Sequence, residues 1–228
     1  MVNKFIMKTQ SEREFIVSGK VTHIYGPPKS GKSTLSANIA FDLVKQGKKV
    51  LIISTERPIE IRMGSMIDAT TEYDPSLLGC IITSEIYTFD ELIQIINNDL
   101  IDYLEEIDLI IIDSLTASYR FNPGSINLIL LRKALATLQA IAIKNKKAVL
   151  FTNQVSARVD DSNDYRPVAS TSTRSFSDIN IRLTKTRDGR TEISFEDQSG
   201  LEVESLEPFT IIDAGIEDFS LLFQVNNS

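Results

Sequence analysis

The chain has 228 residues, 42% hydrophobic and 24% charged, which is the composition of an ordinary globular protein with a sizeable core. Its single cysteine excludes an internal disulfide and a cysteine-based metal cluster, and its single histidine argues against a histidine-rich metal site or a Ser-His-Asp triad. The net charge of -7 argues against nucleic-acid binding through bulk electrostatics alone, but leaves room for one local basic patch.

The N-terminal stretch MVNKFIMKTQSEREF lacks the apolar segment of a signal peptide, and no uninterrupted apolar run reaches the roughly 18 residues of a membrane span. We therefore expect a cytoplasmic protein without a membrane partner. Residues 1–20 are polar and weakly patterned, which predicts a short N-terminal arm or edge segment. Residues 21–228 contain no recognisable linker or internal repeat, which predicts a single domain, and residues 1–20 are too few to form another domain before it.

From residue 21 onward, strand-like apolar runs alternate with segments of helical periodicity. The predicted strands are 21–25, 50–55, 79–83, 108–113 and 148–153, and the predicted helices are a first one ending near Gly47 and others at 58–68, 89–106 and 125–146. The final part is rich in strands, with a hairpin turning near Asp188-Gly189 and a further strand near 208–212. This order predicts an α/β fold: a mostly parallel central sheet flanked by helices, with an antiparallel extension at its C-terminal end.

A phosphate-binding motif follows the first of these strands. GPPKSGKS matches G-x-x-x-x-G-K-[ST] between a predicted strand and a predicted helix, the context that makes the pattern specific. Its glycines let backbone N–H groups wrap phosphates, and the helix N-terminus adds a partial positive charge. Lys32 would reach the β- and γ-phosphates, and Ser33 would bind Mg²⁺. The predicted nucleotide contacts of the loop are Gly26, Pro27, Pro28, Lys29, Ser30, Gly31, Lys32, Ser33 and Thr34.

Two carboxylates lie at the C-terminal ends of predicted strands. Asp113 ends the run LIIID and is a second candidate Mg²⁺ ligand, the alternative being an acidic helix cap. Glu56 ends VLIISTE and is a candidate for orienting the attacking water, the alternative being an exposed glutamate after a strand. No Asn-Lys-x-Asp stretch that reads guanine follows a strand, and no arginine-rich lid typical of small-molecule kinases is present, so ATP with Mg²⁺ is the predicted cofactor.

Five stretches resemble the ATPase core of the RecA/RadA recombinase family, and within it the archaeal RadA paralogues. They are GPPKSGKSTLSANIA, LIISTERPIEIRM, LIIIDSLTASYR, AVLFTNQVSARVD and PFTIIDAGIEDF, in the family's order and covering roughly residues 20–220. The resemblance implies a RecA-like P-loop core and an ATPase that assists homologous recombination and DNA repair. It also implies a RadA-like recombinase or another paralogue as protein partner, and weak binding of single-stranded DNA.

The resemblance assigns roles to particular positions. Glu56 would be the catalytic glutamate, Gln154 would link the γ-phosphate to a DNA-binding loop, and Arg57 or Arg62 would pack against the adenine. Residues 119–126 would form the first DNA-binding loop and 156–176 the second. The predicted DNA-binding side chains are Tyr119, Arg120, Phe121, Arg158, Arg166 and Arg174.

Several departures from the family pattern favour a paralogue over a strand-exchange enzyme. Neither Phe5 nor Phe15 begins the Phe-x-x-Ala stretch with which recombinases polymerise, and Ala169-Ser170 replace the paired glycines of the second loop. The hairpin cations Lys185, Arg187 and Arg190 are either solvated or act on a neighbour's nucleotide. Two functions stay open beside the ATPase: a non-catalytic ATP-binding adaptor of a recombinase, and a signalling ATPase of the KaiC type.

Overall fold

An eight-stranded sheet forms the centre of the protein in the computed structural model, which describes residues 4–56, 58–68, 75–156 and 165–227. The strands are β1 Phe5–Thr9, β2 Glu14–Val17, β3 Val21–Tyr25, β4 Val50–Ser54, β5 Ile81–Glu85, β6 Leu109–Asp113, β7 Ala148–Asn153, β8 Val155–Ser156, β9 Arg166–Pro167, β10 Ile179–Lys185, β11 Thr191–Glu196, β12 Glu202–Ser205, β13 Ile211–Ile212, β14 Gly215–Ile216 and β15 Phe223–Asn227. The helices are α1 Lys32–Lys45, α2 Ile59–Asp68, α3 Phe89–Gln94, α4 Ser125–Asn145, α5 Ser170–Ser175 and α6 Phe219–Leu222.

The sheet has the order β12-β11-β10-β3-β7-β6-β4-β5, and its six strands from β10 to β5 are parallel. Strands β3, β4, β6 and β7 are buried along their whole length, which is why the sequence shows them as continuous apolar runs. Strands β11 and β12 add to the β10 edge in antiparallel pairing. The predicted α/β fold with a late antiparallel extension is confirmed.

The register of the parallel strands collects the candidate site residues at one edge of the sheet. Ser54, the last residue of β4, pairs with Asp113, the last residue of β6. Tyr25, which ends β3 directly before the phosphate motif, lies between Asn153 of β7 and Arg182 of β10. The segments that leave β3, β4, β6 and β7 therefore begin side by side, at the carboxyl edge where ligands bind in open α/β sheets.

Helices cover both faces of this sheet. Helices α1 and α2 pack on one face together with the C-terminal pair β13–β14. Helices α3, α4 and α5 pack on the other, where α4 buries one side including Leu131, Leu135 and Leu138.

The 21-residue helix α4 is the one element among the described residues that is long and apolar enough, by length and composition alone, to cross a membrane. An argument from uninterrupted apolar runs misses it, because Arg132 and Lys133 interrupt a segment whose mean hydropathy is 1.6. Core helices of soluble proteins pass the same test, and α4 packs one of its faces against the sheet, with about 33% of the tested segment buried.

The first residues of the chain form a small sheet. Strand β1 lies between β2 and the C-terminal strand β15, all antiparallel. Phe5, Met7, Phe15 and Ile16 are completely buried in the core cluster that contains α1. The segment that the sequence predicts as an arm or edge segment is thus packed against the core. The sequence does not reveal this, because the two strands are short and their apolar residues lie among polar ones.

Two predicted elements differ in the structure. The predicted strand 79–83 is preceded by a 3₁₀ turn, Pro75–Cys80, and the strand itself is β5, two residues later. The predicted helix 89–106 begins with a capping box at Thr88 but changes to a π-helical turn at Ile95–Asp99 and then to a 3₁₀ turn. Asparagine and aspartate are poor formers of a regular helix, and the side chain of Asn97 in this π turn accepts a hydrogen bond from Thr137 (2.9 Å), which lies on α4 40 residues away in sequence.

Candidate nucleotide site

The phosphate loop connects β3 to α1 and depends on two glycines. A Cβ on Gly26 would collide with the carbonyl oxygen of Leu183 on the neighbouring strand β10. Gly31 has a φ of 100°, and a Cβ there would meet the Ile211 side chain. Lys29 also takes a left-handed conformation, with φ 64°. The loop therefore turns tightly, and its backbone lies close to both β10 and the C-terminal pair β13–β14.

The N-terminus of α1 is open to a ligand. Its cap residue is Gly31, no side chain caps the first N–H groups, and the first turn contains no acidic residue. Such a helix end is suited to phosphate because unpaired N–H groups and the helix dipole point the same way. Lys32 donates from Nζ to the carbonyl oxygens of Gly26 (2.8 Å) and Pro27 (3.0 Å), so its ammonium group lies inside the loop.

Burial lowers the pKa of Lys32 from its ordinary value, while the nearby carboxylates of Asp113 and Glu56 act in the opposite direction. Asp113 is almost fully buried and accepts a hydrogen bond from Thr152 Oγ1 on the adjacent strand β7. Thr55 fixes the ends of β4 and β6 to each other, since its Oγ1 donates to the Ser114 carbonyl (2.7 Å) and accepts from the Ser114 N–H (3.0 Å). These hydrogen bonds hold the Asp113 carboxylate and the adjoining ends of β4 and β6 in place.

Glu56 and Gln154 meet across the edge of the sheet. The Nε2 of Gln154 donates to Oε1 of Glu56 at 2.5 Å, although the two residues are 98 positions apart in sequence. Glu56 is exposed and Gln154 half-buried. The carbonyl oxygen of Gln154 also accepts from the N–H of Val168 (2.9 Å), directly before α5. Gln154 thus contacts both the candidate catalytic carboxylate and the far end of the second predicted loop.

These groups line one cavity of about 470 Å³, a size suited to a small polyanion. Its lining residues are Pro28, Lys29, Gly31, Lys32, Ser33, Thr34, Glu56, Asp113, Gln154, Lys185 and Ile211. A second, more apolar cavity of about 580 Å³ shares Ser33, Thr34, Glu56 and Asp113 with it and extends along α2 to Ile61 and Arg62. The predicted adenine-contacting Arg62 lies there and donates to the Ile212 carbonyl (2.6 Å), whereas Arg57 is outside the described residues.

The comparison with protein families follows the same stretch of chain. A family model described as Rad51 matches residues 13–219. The chain belongs to the Rad51 family. The resemblance to the RecA/RadA recombinases that the motifs indicate is therefore confirmed.

This member of the Rad51 family is also similar, over most of its length, to proteins named DNA repair and recombination protein RadB. It is 28% identical over 205 residues to the one from Halobacterium salinarum (strain ATCC 29341 / DSM 671 / R1), which covers 87% of this chain and 86% of the relative. It is 31% identical over 208 residues to the RadB protein from Methanosphaera stadtmanae, and this match covers 88% of this chain and 88% of the relative. With the one from Methanococcus maripaludis (strain C5 / ATCC BAA-1333) it shares 29% over 211 residues, 90% of this chain and 94% of the relative.

Members of the Rad51 family are ATPases that bind ATP with Mg²⁺, and the residues of this site fit both groups. The uncapped N-terminus of α1 and the cradle at Gly26 and Gly31 leave space and N–H donors for phosphates. Among the described residues there is no cluster of three or more acidic, histidine or cysteine side chains for a metal. Mg²⁺ does not require one, because it binds through one or two carboxylates together with phosphates and water, and Ser33 and Asp113 suit that pattern.

The first loop that the family resemblance assigns to DNA is short, and it contains both buried and exposed side chains. Tyr119 is 6% exposed and packs against Phe89 with ring centroids 5.8 Å apart, so it belongs to the core. Phe121 is 87% exposed, and Arg120 is also exposed. The charge of Arg120 contributes to lowering the Lys32 pKa, which places this loop near the nucleotide site.

The second loop is described only at its two ends, since residues 157–164, with Arg158, lie outside the described residues. The ends are joined by β8 and β9, where Val155 pairs with Pro167 and Ser156 with Arg166. Arg166 is exposed. The loop therefore leaves and re-enters the fold at one point, next to Gln154.

Arg174, the last predicted DNA contact, is engaged inside the protein. Its guanidinium donates to Glu196 (2.7 Å) and to the hydroxyl of Tyr25 (3.0 Å), and its side chain is 12% exposed. The Tyr25 hydroxyl in turn donates to Glu196 (2.6 Å), and Arg182 pairs with the second oxygen of that carboxylate (3.4 Å). Burial and this carboxylate raise the pKa of Tyr25. The network joins α5 and β11 to the strand that leads into the phosphate loop.

His23 is a structural residue, as its position predicts. It is completely buried, stacked on Phe151 and Tyr25, with Asn180 and Asn153 at its ring nitrogens (3.1 and 3.3 Å). Burial lowers its pKa to about 3, so the ring is neutral.

Sequence patterns alone did not place Lys185 and Ile211 in this cavity. Both come from the late strands, and their proximity to the phosphate loop depends on β10 pairing with β3. No local motif signals that pairing. The sequence predicts only that the late strands extend the core sheet, and it does not predict which core strand they join.

Proposed function

We propose that this Rad51 family chain binds ATP with Mg²⁺, hydrolyses ATP slowly, and assists a recombinase in homologous recombination and DNA repair. The observation that carries the proposal is the hydrogen bond between Gln154 and Glu56 at the mouth of a phosphate-binding cavity. It joins a carboxylate suited to orienting water to the base of a loop that the family uses for DNA. The RadB names of the similar proteins support the role in repair and recombination.

The chemistry assigned to the chain's own residues follows from their positions. Lys32 and the α1 N-terminus would hold the phosphates and stabilise negative charge as it develops. Mg²⁺, when bound by Ser33 and Asp113, would supply further charge neutralisation. Glu56 would orient the attacking water and accept its proton. Gln154, by holding one oxygen of Glu56, would set the direction of that carboxylate and transmit a change to the second loop.

The two cavities suggest how the rest of the nucleotide is bound. The phosphate cavity continues into the apolar space beside α2, where Ile59 and Ile61 offer a surface for a base. Arg62 lines the same space, and Arg57 is the other candidate for packing against the adenine. These contacts remain part of the proposal.

The test of catalysis is multiple-turnover ATP hydrolysis by Glu56→Gln against a matched control, Glu85→Gln. Glu85 ends the neighbouring strand β5, and its side chain accepts a hydrogen bond from the Tyr87 hydroxyl (2.7 Å) and lines neither cavity, so its substitution should leave the rate unchanged. Loss of the base in Glu56→Gln should lower the rate roughly 100-fold or more while ATP still binds. Equal rates for the two variants would remove Glu56 from the catalytic role.

The DNA part of the proposal is tested in the same assay with single-stranded DNA added. The described cations of the two loops are few, and Arg174 is engaged by Glu196, so we propose weak, salt-sensitive binding that a partner strengthens. DNA should change the turnover of the wild type, and Gln154→Ala should remove that change with ATP affinity intact. An identical response in Gln154→Ala would exclude Gln154 from the coupling.

A non-catalytic adaptor is the second candidate, and one observation favours it. One of the two oxygens of the Glu56 carboxylate already accepts a hydrogen bond from Gln154, so fewer positions on this carboxylate remain for orienting a water. Turnover indistinguishable from that of Glu56→Gln, together with tight binding to a RadA-like recombinase, would select the adaptor. In either case we propose a cytoplasmic protein whose partner is a recombinase or another paralogue, with no role for a membrane.

A further inference from the structure

Lys185 is a cation of the late hairpin that lies in the wall of the chain's own phosphate cavity. It is the last residue of β10, which pairs with β3 in parallel, so it reaches the same edge of the sheet as the phosphate loop. Gln154 follows β7, on the other side of β3. Lys185 and Gln154 thus face the cavity from opposite sides, with Lys32 between them.

The hairpin is fixed to the phosphate loop of the same chain by several contacts. Thr191, which pairs with Lys185 across the hairpin, donates from Oγ1 to the carbonyl oxygen of Ser30 (3.2 Å) in a buried hydrogen bond. Its backbone exchanges two hydrogen bonds with Phe209 (2.8 and 2.9 Å), which leads to Ile211 against Gly31. The Leu183 carbonyl lies against Gly26. The position of Lys185 relative to the loop is therefore set within one chain.

The ammonium group of Lys185 retains hydrogen-bonding capacity. Among the described residues Lys185 forms one hydrogen bond, to the carbonyl oxygen of Gly189 (2.9 Å), whereas an ammonium group has three donors. Among the described residues no carboxylate forms a salt bridge with it, whereas Arg190 on the same hairpin pairs with Asp188 (2.7 Å). Lys185 and Arg187 are both exposed, but of these two Lys185 is the one that lines the cavity. Of these three cations, Lys185 is the one in a position to meet an anion in the site.

We infer that Lys185 binds the terminal phosphate of a nucleoside triphosphate held in the same chain, from the side of the cavity opposite Gln154. The inference rests on the proposed function, since it names a further contact of that nucleotide. The family resemblance left these cations either solvated or acting on a neighbour; the attachment of the hairpin to Ser30 and Gly26 assigns Lys185 to its own chain. Lys185 discriminates triphosphate from diphosphate, because the two differ by a phosphate group and its charge.

The first test compares equilibrium affinities, with Mg²⁺, for a non-hydrolysable ATP analogue and for ADP. The variants are Lys185→Ala, Lys185→Arg and the hairpin control Arg187→Ala. Losing a charge-assisted hydrogen bond to phosphate should weaken binding of the analogue by roughly 10-fold or more, with ADP affinity changed less than about 2-fold. Lys185→Arg should retain most of the discrimination. Equal analogue and ADP affinities for Lys185→Ala and Arg187→Ala would overturn the inference.

A mixing experiment separates the chain's own lysine from a neighbour's. Lys185→Ala is titrated with Lys32→Ala, which has an intact Lys185 but a defective phosphate loop, and analogue affinity is measured again. No recovery is expected when Lys185 serves its own chain, whereas recovery would show action on a neighbour and overturn the inference. The affinities for the analogue also separate this inference from the proposed function. If Lys32→Ala loses binding but Lys185→Ala binds as the wild type does, only the inference about Lys185 fails. If Lys32→Ala itself binds as the wild type does, the proposed nucleotide site fails.

Discussion

Single residues decide whether the phosphate loop can close. Gly26 and Gly31 are required for a physical reason, since any Cβ would meet Leu183 or Ile211. Burial lowers the pKa of Lys32, and the carboxylates of Asp113 and Glu56 oppose that effect. Glu56 and Gln154 are adjacent only because β4 and β7 end at the same edge. The chemistry of the site thus depends on side chains that distant parts of the sequence deliver to one place.

His23 predicts how the stability of the fold depends on pH. The folded state holds it neutral with a pKa of about 3, whereas the unfolded chain protonates it near 6.5. Between these values the unfolded state binds one more proton, so stability falls as pH falls below 6.5. Between pH 7.5 and pH 5.5 the free energy of unfolding should drop by about 1.4 kcal/mol, measured by urea denaturation.

The control for this prediction is His23→Gln, which removes the only histidine of the chain. Its absolute stability is expected to change, because the stacking with Phe151 is lost, but its free energy of unfolding should be nearly the same at both pH values. Equal stability of the wild type at pH 7.5 and 5.5 would contradict a neutral, buried His23.

At the scale of elements, strands were predicted better than helices and loops. Strands β3, β4, β6 and β7 are continuous apolar runs because both faces of the sheet are covered, so their positions follow from composition. The π turn after α3 was missed because the apolar spacing there still resembles a regular helix, while its hydrogen bonds depend on Thr137 of α4. The entry of Lys185 into the cavity was missed because strand order is a tertiary property.

The carboxylate of Glu196 connects several elements, and its loss should be costly. Glu196→Gln preserves shape but removes the carboxylate that pairs with Arg174 beneath α5, and it leaves Arg182 with Glu202 (2.9 Å) alone of its two carboxylate partners among the described residues. Breaking a buried ion pair in this way should lower the free energy of unfolding by about 3 kcal/mol in urea denaturation.

The matched control is Glu192→Gln on the same strand, where the side chain is half-buried, accepts a long hydrogen bond from Thr184 Oγ1 (3.4 Å) and forms no salt bridge among the described residues. Its effect should stay within about 0.5 kcal/mol. Similar stabilities of the two variants would show that the Arg174–Glu196–Tyr25 network does not stabilise α5 on the sheet.

At the scale of the whole molecule, the two ends of the chain meet in the sheet β15-β1-β2, which packs on the same core as α1. The net charge of -7 disfavours any polyanion, so binding a nucleotide depends on local cations and N–H groups at one edge of the central sheet. Lys29, Lys32 and Lys185 provide the cations there, against the acids Glu56 and Asp113. We propose that this edge of the sheet binds and hydrolyses ATP.

Titration calorimetry of ATP binding in the presence of Mg²⁺, comparing Lys32→Ala with Lys45→Ala, tests that claim most directly. Both lysines are on α1, but Lys45 is at its far end and pairs with Asp42 (3.8 Å). Lys45→Ala should bind ATP as the wild type does, and Lys32→Ala should bind at least roughly 10-fold more weakly, because it loses a buried charge beside the phosphates. ATP affinity unchanged in Lys32→Ala would contradict the account.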